Sequence, residues 1–140
     1  MARYITVGAA QFGPVSRSQS RADVVGRLLT LLREGHERGC DLVVFTEVAL
    51  TPFFSHWYMD DQEEIDSYFE RDMPSPLTQP LFDEAARLKI GFHLGYSELA
   101  IEDGETHRYN PAILVDKQAQ IVAKYRKIHL PGYAERNPEH

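Results

Sequence analysis

Two hydrophobic periods alternate along the first half of this chain. Tyr4, Ile5, Thr6 and Val7 form an apolar, β-prone start, and Gly13-Pro14 ends it, so Tyr4 to Gln11 is predicted as a strand. Val24, Val25, Leu28, Leu31 and Leu32 then recur at helical spacing. Ser20 is the expected N-cap, Asp23 suits the positive end of the helix dipole, and Gly35 or Gly39 closes the helix. Leu42 to Phe45 is an unbroken run of β-branched, aromatic and other apolar residues, the pattern of a strand buried on both faces. Strand, helix and buried strand make a βαβ unit.

The second half reads differently. Asp60 to Glu70 is acidic and is predicted as one or two helical turns with Ile65, Tyr68 and Phe69 inward, broken by Pro74 and Pro76. Thr78 to Leu88 is a second helix, with Pro80 in its first turn and Leu81, Phe82, Ala85 and Leu88 on one face. Strands follow at Ile90 to Leu99, Arg108 to Asp116 and Ile121 to Leu130, joined by turn signals at Glu102-Asp103-Gly104 and Lys117 to Gln120. Helix-linked strands giving way to hairpin-linked strands predict an α/β fold with a mixed sheet and flanking helices.

Composition narrows the function classes. The 140 residues suffice for one domain with a core. A net charge of -6 argues against nucleic acid as a partner. Cys40 is the single cysteine, which excludes an intrachain disulfide and fits a reducing compartment. No apolar stretch approaches the length of a membrane span, so no membrane partner is expected and a cytoplasmic location is the simplest reading. The histidines show no metal-ligand spacing and no glycine-rich phosphate loop is present, so no metal or nucleotide is expected.

Three stretches could carry chemistry. Glu47 directly follows the buried strand, and open α/β sheets bind ligands beyond the carboxyl ends of their strands. It is a catalytic carboxylate or a solvated charge capping the strand. Thr51 to Trp57 is rich in aromatics that either line a pocket or pack as a loop on the core; Phe53 and Trp57 are candidate substrate contacts by position. In Lys124-Tyr125-Arg126-Lys127-Ile128-His129-Leu130, a regular strand puts Tyr125, Lys127 and His129 on the face begun by Ile121 and Ala123. A lysine there needs an acidic partner or a functional reason. The alternative is a basic edge strand that discourages unwanted pairing. His129 is a further candidate substrate contact by position.

Four segments in order resemble the nitrilase, or carbon-nitrogen hydrolase, superfamily: Val7-Gly8-Ala9-Ala10-Gln11, Gly39 to Glu47, Asn110-Pro111-Ala112-Ile113-Leu114-Val115-Asp116, and Lys124 to Gly132. Val24 to Leu29, Ala49 to Phe54, Met73-Pro74-Ser75-Pro76 and Leu94 to Leu99 look most like the N-carbamoyl-D-amino-acid amidohydrolases. Thr46 departs from the family's usual proline, Ser75 from a common glycine, and Pro111 from a small polar residue.

The resemblance implies a nitrilase-like α-β-β-α sandwich and hydrolysis of a non-peptide carbon-nitrogen bond by a Glu-Lys-Cys triad. Glu47 matches the general base and Lys127 the lysine that stabilises the oxyanion. Neither metal nor organic cofactor is implied, and the substrate is a small amide or carbamoyl compound. The family's nucleophile lies in a Cys-x-Asp/Glu-x-Arg segment downstream of the lysine, and no such segment occurs through His140. Cys40 does not replace it, because it begins the strand that Glu47 ends, roughly 20 Å away. The expectation is therefore about the N-terminal half of the family domain, residues 1–140, with a homo-oligomer or a complementing chain covering the exposed sheet. The competing expectation is a catalytically inactive truncated remnant, or interaction module, that keeps the fold.

Overall fold

The computed structural model describes residues 2–130 of the chain. Its main element is a mixed five-stranded sheet of β1 (Val7–Ala9), β2 (Leu42–Val44), β3 (Gly91–Gly95), β6 (Pro111–Val115) and β7 (Ile121–Arg126), in that spatial order. The first three run parallel, and β3, β6 and β7 are successively antiparallel. The change from crossover to hairpin connections is the predicted one.

α1 (Arg21–Glu37) joins β1 to β2. Ser20 caps it in a reciprocal box: its side chain accepts from the Asp23 amide, and the Asp23 carboxylate accepts from the Ser20 amide. Gly39, with φ of +76°, follows its end, while Gly35 lies inside the helix against Val43. α2 (Gln62–Asp66) is the short helix expected within Asp60 to Glu70, and α3 (Gln79–Leu88) precedes β3 and carries Pro80 in its first turn, as expected. Both helices pack on one face of the sheet. Leu28 and Leu32 of α1 and Leu81, Phe82 and Ala85 of α3 bury against Val43, Phe92, Leu94, Ile113 and Val115. The five strand residues share a face by their cross-strand register.

The opposite face has no such cover among the described residues. Val7 is 51 % exposed, Leu114 37 % and Tyr125 58 %. One helix layer on one sheet layer is half of the expected sandwich.

Four strand limits differ from the sequence prediction. β1 is only Val7–Ala9, and the preceding Tyr4 and Ile5 are solvent-exposed. Ile90 to Leu99 is two strands, β3 and β4 (Glu98–Glu102), and Arg108 to Asp116 is likewise divided between β5 (Glu105–Tyr109) and β6. β4 and β5 form a separate two-stranded sheet. The register is nevertheless continuous through the break: Gly95 opposes Ala112, the Tyr96 amide donates to the Pro111 carbonyl, and Glu98 opposes Tyr109. The four strands are one long hairpin, bent at Tyr96-Ser97 on one arm and Asn110 on the other. Pro111 at the start of β6 fits this, because proline enters strands at their first residue and restricts the residue before it.

β7 stops at Arg126, so Lys127, Ile128 and His129 lie beyond the strand. A bulge also breaks its alternation. Ile121 opposes Val115 and Ala123 opposes Leu114, leaving Val122 without a partner. Ile121 and Ala123 therefore do not begin a shared face. The turn before β7 is tied by Asp116, whose carboxylate accepts from the amides of Gln118 and Gln120 at 2.9 Å each. Pro131 and Gly132, which end the fourth resembling segment, lie outside the described residues.

Candidate active site

Glu47 sits in the turn that follows β2, at the carboxyl end of the parallel strands. The chain there is under backbone strain. Val48 has φ of +50°, a left-handed conformation that is costly for a β-branched residue, by about 1–3 kcal/mol. Neighbouring contacts hold it. The Ala49 amide donates to the Gly95 carbonyl at 2.9 Å, and Arg21 of α1 donates to the Leu50 carbonyl at 2.6 Å. Ala49 and Leu50 are buried in the core. Gly95 makes the approach possible: a Cβ there would lie 3.0 Å from the Glu47 Cα and 3.1 Å from the Val48 nitrogen.

Lys127 reaches this turn from the far side of the sheet. Its ammonium donates to Glu47 Oε1 at 2.7 Å. Asn110, at the bend of the long hairpin, donates its side-chain amide to the same oxygen at 2.7 Å. The acceptor is an ionised carboxylate, so the Asn110 NH2 faces it. The Lys127 main-chain amide in turn donates to the Asn110 carbonyl at 2.9 Å. Glu47 Oε2 accepts no hydrogen bond among the described residues. The hydrogen bonds from Lys127 and then Asn110 hold the Glu47 carboxyl below the usual carboxylate range, outweighing partial burial, which pushes it up.

The flanking residues fix these donors in place. Arg126, next to Lys127, donates to Glu98 at 2.8 Å and Glu102 at 2.6 Å, and its guanidinium lies 3.8 Å over the ring of Tyr109, next to Asn110. The Tyr109 hydroxyl donates to Glu102 at 2.7 Å. Lys124 is a further partner of Glu98. Lys124 and Arg126 thus share a partner on one side of β7, while Lys127 engages Glu47. Burial pushes the Glu98 carboxyl up, but its bonds to Arg126 and Lys124 prevail and hold it low.

The site is open. The Glu47 side chain is 55 % exposed and that of Lys127 36 %. Two surface hollows lie elsewhere: one of about 550 Å3 is lined by Asp66, Phe69 and Arg71 among others, and one of about 220 Å3 by Glu70, Tyr96 and Lys124 among others. Neither takes in Glu47 or Lys127. In this exposed setting the ion pair is partly screened by water.

The other candidates are dispersed. Trp57 packs edge-on against Tyr68 at 6.0 Å, under the guanidinium of Arg17 at 5.1 Å. Phe53 is 56 % exposed, its ring edge-on to His56 at 4.6 Å. Phe54 stacks on Tyr68 at 4.8 Å, so much of the aromatic loop packs on its neighbours. His129 is exposed in the bend after β7. No hydrogen bond joins Phe53, Trp57 or His129 to Glu47 or Lys127 among the described residues. Cys40 precedes β2 at the end opposite Glu47. Among the described residues no cluster of metal-ligating side chains occurs, and no helix is long and apolar enough to cross a membrane.

Sequence reasoning missed Asn110, Gly95 and Val48 as site residues. Asn110-Pro111 carried a signal, since an asparagine before a proline inside a strand pattern marks a bend.

The sequence model of the carbon-nitrogen hydrolases matches residues 6–140. An aliphatic nitrilase of Rhodococcus rhodochrous is 30 % identical over 94 % of the chain and 36 % of the nitrilase. An omega-amidase of Danio rerio is 29 % identical over 81 % of the chain and 37 % of that enzyme, and an N-carbamoylputrescine amidase of Oryza sativa subsp. japonica is 25 % identical over 94 % and 42 %. The chain thus spans well under half the length of these relatives. The crystal structure of a carbon-nitrogen hydrolase from Helicobacter pylori G27 superposes with a TM-score of 0.70 at 21 % identity, over 91 % of this chain and 40 % of that one.

Proposed function

The chain belongs to the carbon-nitrogen hydrolase family, and from that premise we propose that it supplies the base and the oxyanion-binding cation of an amidohydrolase. The observation that carries this reading is the 2.7 Å contact between Glu47 and Lys127, residues 80 apart in the chain, at the carboxyl end of the parallel strands. Glu47 takes the proton of a cysteine thiol and later that of the hydrolytic water. Lys127 leaves its ion pair to stabilise the oxyanion that develops on the attacked carbon. A carboxylate held low by a lysine is a weak base, so loosening this pair is part of the first step.

The thiol is not Cys40, which lies at the wrong end of β2. It comes from polypeptide that also covers the exposed face of the sheet, and residues 1–140 are the amino-terminal part of the domain so formed. The substrate class is N-carbamoyl amino acids and related amides. The D-amino-acid preference rests on the segments Val24 to Leu29, Ala49 to Phe54, Met73-Pro74-Ser75-Pro76 and Leu94 to Leu99. Phe53, Trp57 and His129 are proposed substrate contacts. The second reading, a fold-retaining module without activity, is favoured by the position of Cys40.

Ammonia release from N-carbamoyl-D- and L-amino acids, ω-amides and aliphatic nitriles separates these readings. The chain is assayed alone and mixed with a polypeptide carrying the cysteine segment of a carbon-nitrogen hydrolase. Turnover is expected only in the mixture, and is lost in Glu47→Gln and Lys127→Ala. Inactivity of every mixture that forms a stable complex supports the non-catalytic module. Turnover by the chain alone that survives Cys40→Ser overturns the proposed thiol chemistry.

A further inference from the structure

We infer that Asn110 is a positioning residue that, together with Lys127, occupies Oε1 of Glu47 and so makes Oε2 the oxygen that receives the proton. This rests on the reading of Glu47 as the general base. The geometry carries it in three ways. Both donors converge on one oxygen at 2.7 Å, and Oε2 accepts nothing among the described residues. Asn110 also grips both members of the pair: its side chain holds Glu47, and its carbonyl accepts from the Lys127 amide at 2.9 Å. Its own backbone is constrained, by Pro111 on one side and by Tyr109 beneath Arg126 on the other.

The choice of asparagine fits a base. A second cation at this place would depress the carboxyl further and weaken it as a proton acceptor, while an aspartate would repel it. The neutral amide pins Oε1 and adds no charge. It also works in both protonation states. When an S–H or water O–H bond breaks, the proton bonds to Oε2, the electron pair stays on sulfur or oxygen, and Oε1 becomes the carbonyl oxygen of a neutral acid. A carbonyl oxygen still accepts from Asn110. The ammonium of Lys127 loses its ionic partner at that moment and is released toward the oxyanion, while Asn110 keeps the acid aligned for returning the proton.

The full chain tests this without turnover. With 13C-labelled glutamate, the Glu47 carboxyl signal is identified by its absence in Glu47→Gln and followed against pH. Side-chain 15N–H signals of Asn110 are followed in the same wild-type samples. The Asn110 signals are expected to shift with the Glu47 midpoint, and that midpoint is expected to move up in Asn110→Ala. Asn110 signals that stay flat while Glu47 titrates overturn the proposal, and being a wild-type measurement this does not depend on how any variant folds. An unmoved Glu47 midpoint in a folded Asn110→Ala also overturns it. In the complemented assay, Asn110→Ala is expected to lower kcat roughly tenfold to a hundredfold with little change in KM, and to raise the acid limb of the pH profile. If instead Glu47→Gln retains activity, the base reading fails, whatever Asn110 does.

Discussion

Glu84, between the two helices, and Glu47, at the end of the sheet, are each held ionised by two side chains, but their oxygens are used differently. Glu84 Oε1 accepts from Arg33 at 2.6 Å and Arg87 at 2.8 Å, and its Oε2 accepts from Arg87 at 2.7 Å. Both oxygens are occupied, both partners are cations, and its side chain is 11 % exposed. The hydrogen bonds of Arg87 and then Arg33 bring its carboxyl down to about 2. Glu98 follows the same plan, with Lys124 on one oxygen and Arg126 on the other. Glu47 has one cation and one neutral amide on a single oxygen, and it stays 55 % exposed. Glu84 and Glu98 tie elements together with both oxygens taken, whereas Glu47 keeps Oε2 open among the described residues. That difference separates Glu47 from these two, since all three are ion-paired.

The largest test of the contrast exchanges the two carboxylates in turn. Glu47→Gln is expected to lower kcat of the complemented enzyme by roughly 10²- to 10⁴-fold and leave the urea midpoint near wild type. Glu84→Gln is expected to do the reverse. Activity stays within about twofold, and stability falls by about 1 kcal/mol, a modest figure because Arg33 and Arg87 are 53 % and 64 % exposed. Equal loss of activity in both variants would erase the distinction.

Gly95→Ala comes next. Its methyl would press on the backbone of Thr46, Glu47 and Val48, none of which can swing aside as a side chain would. About a hundredfold loss of activity is expected from a displaced base, with about 1–3 kcal/mol of destabilisation, read from turnover and urea unfolding of the same samples. Unchanged turnover would mean that the strained turn does not position Glu47.

Acid titration sharpens the comparison further. Glu84 has a folded pKa below its ordinary value of 4.5, so its contribution to stability is complete above about pH 4.5 and drains away as pH falls toward about 2. The Glu47 carboxyl is lowered in the same direction, and its contribution is likewise lost on acidification. Urea midpoints measured from pH 6 to pH 2 should fall less steeply in Glu84→Gln than in wild type, with a smaller flattening in Glu47→Gln because that group is the more exposed. A steeper fall in either variant would reverse the assigned sign. The smallest effect is expected from Cys40→Ser, which should leave turnover of the complemented enzyme unchanged within about twofold.

Much of the scaffold was legible from local chemistry. Ser20 and Asp23 announce the start of α1, and Asp103-Gly104 announces the hairpin, where both residues adopt positive φ (52° and 81°). Apolar period and chain punctuation are local signals, and they place these elements. The bend at Asn110 was signalled only by the Asn-Pro pair, and the bulge at Val122 was not legible, because an apolar strand pattern continues through it. Val48 was hidden for the opposite reason: a valine gives no hint of a left-handed backbone, which neighbouring contacts impose. The meeting of Glu47 and Lys127 joins segments 80 residues apart, and the family resemblance rather than any periodicity pointed to it.

The bulge has a consequence for insertion and deletion. Val122 takes up one residue of slack, so the pairing downstream sets Lys127 beside Asn110. Side chains in a strand alternate faces, so removing one residue between Asp116 and Ile121 would carry Lys127 one place along and turn it to the other side. Ile128 would then stand where Lys127 meets Glu47, and one added residue would put Arg126 there instead. The tip that Asp116 ties off is constrained in its length as well as at Ala119, whose φ is +61°, because it keeps the count for the Glu47–Lys127 pair at the other end of the strand.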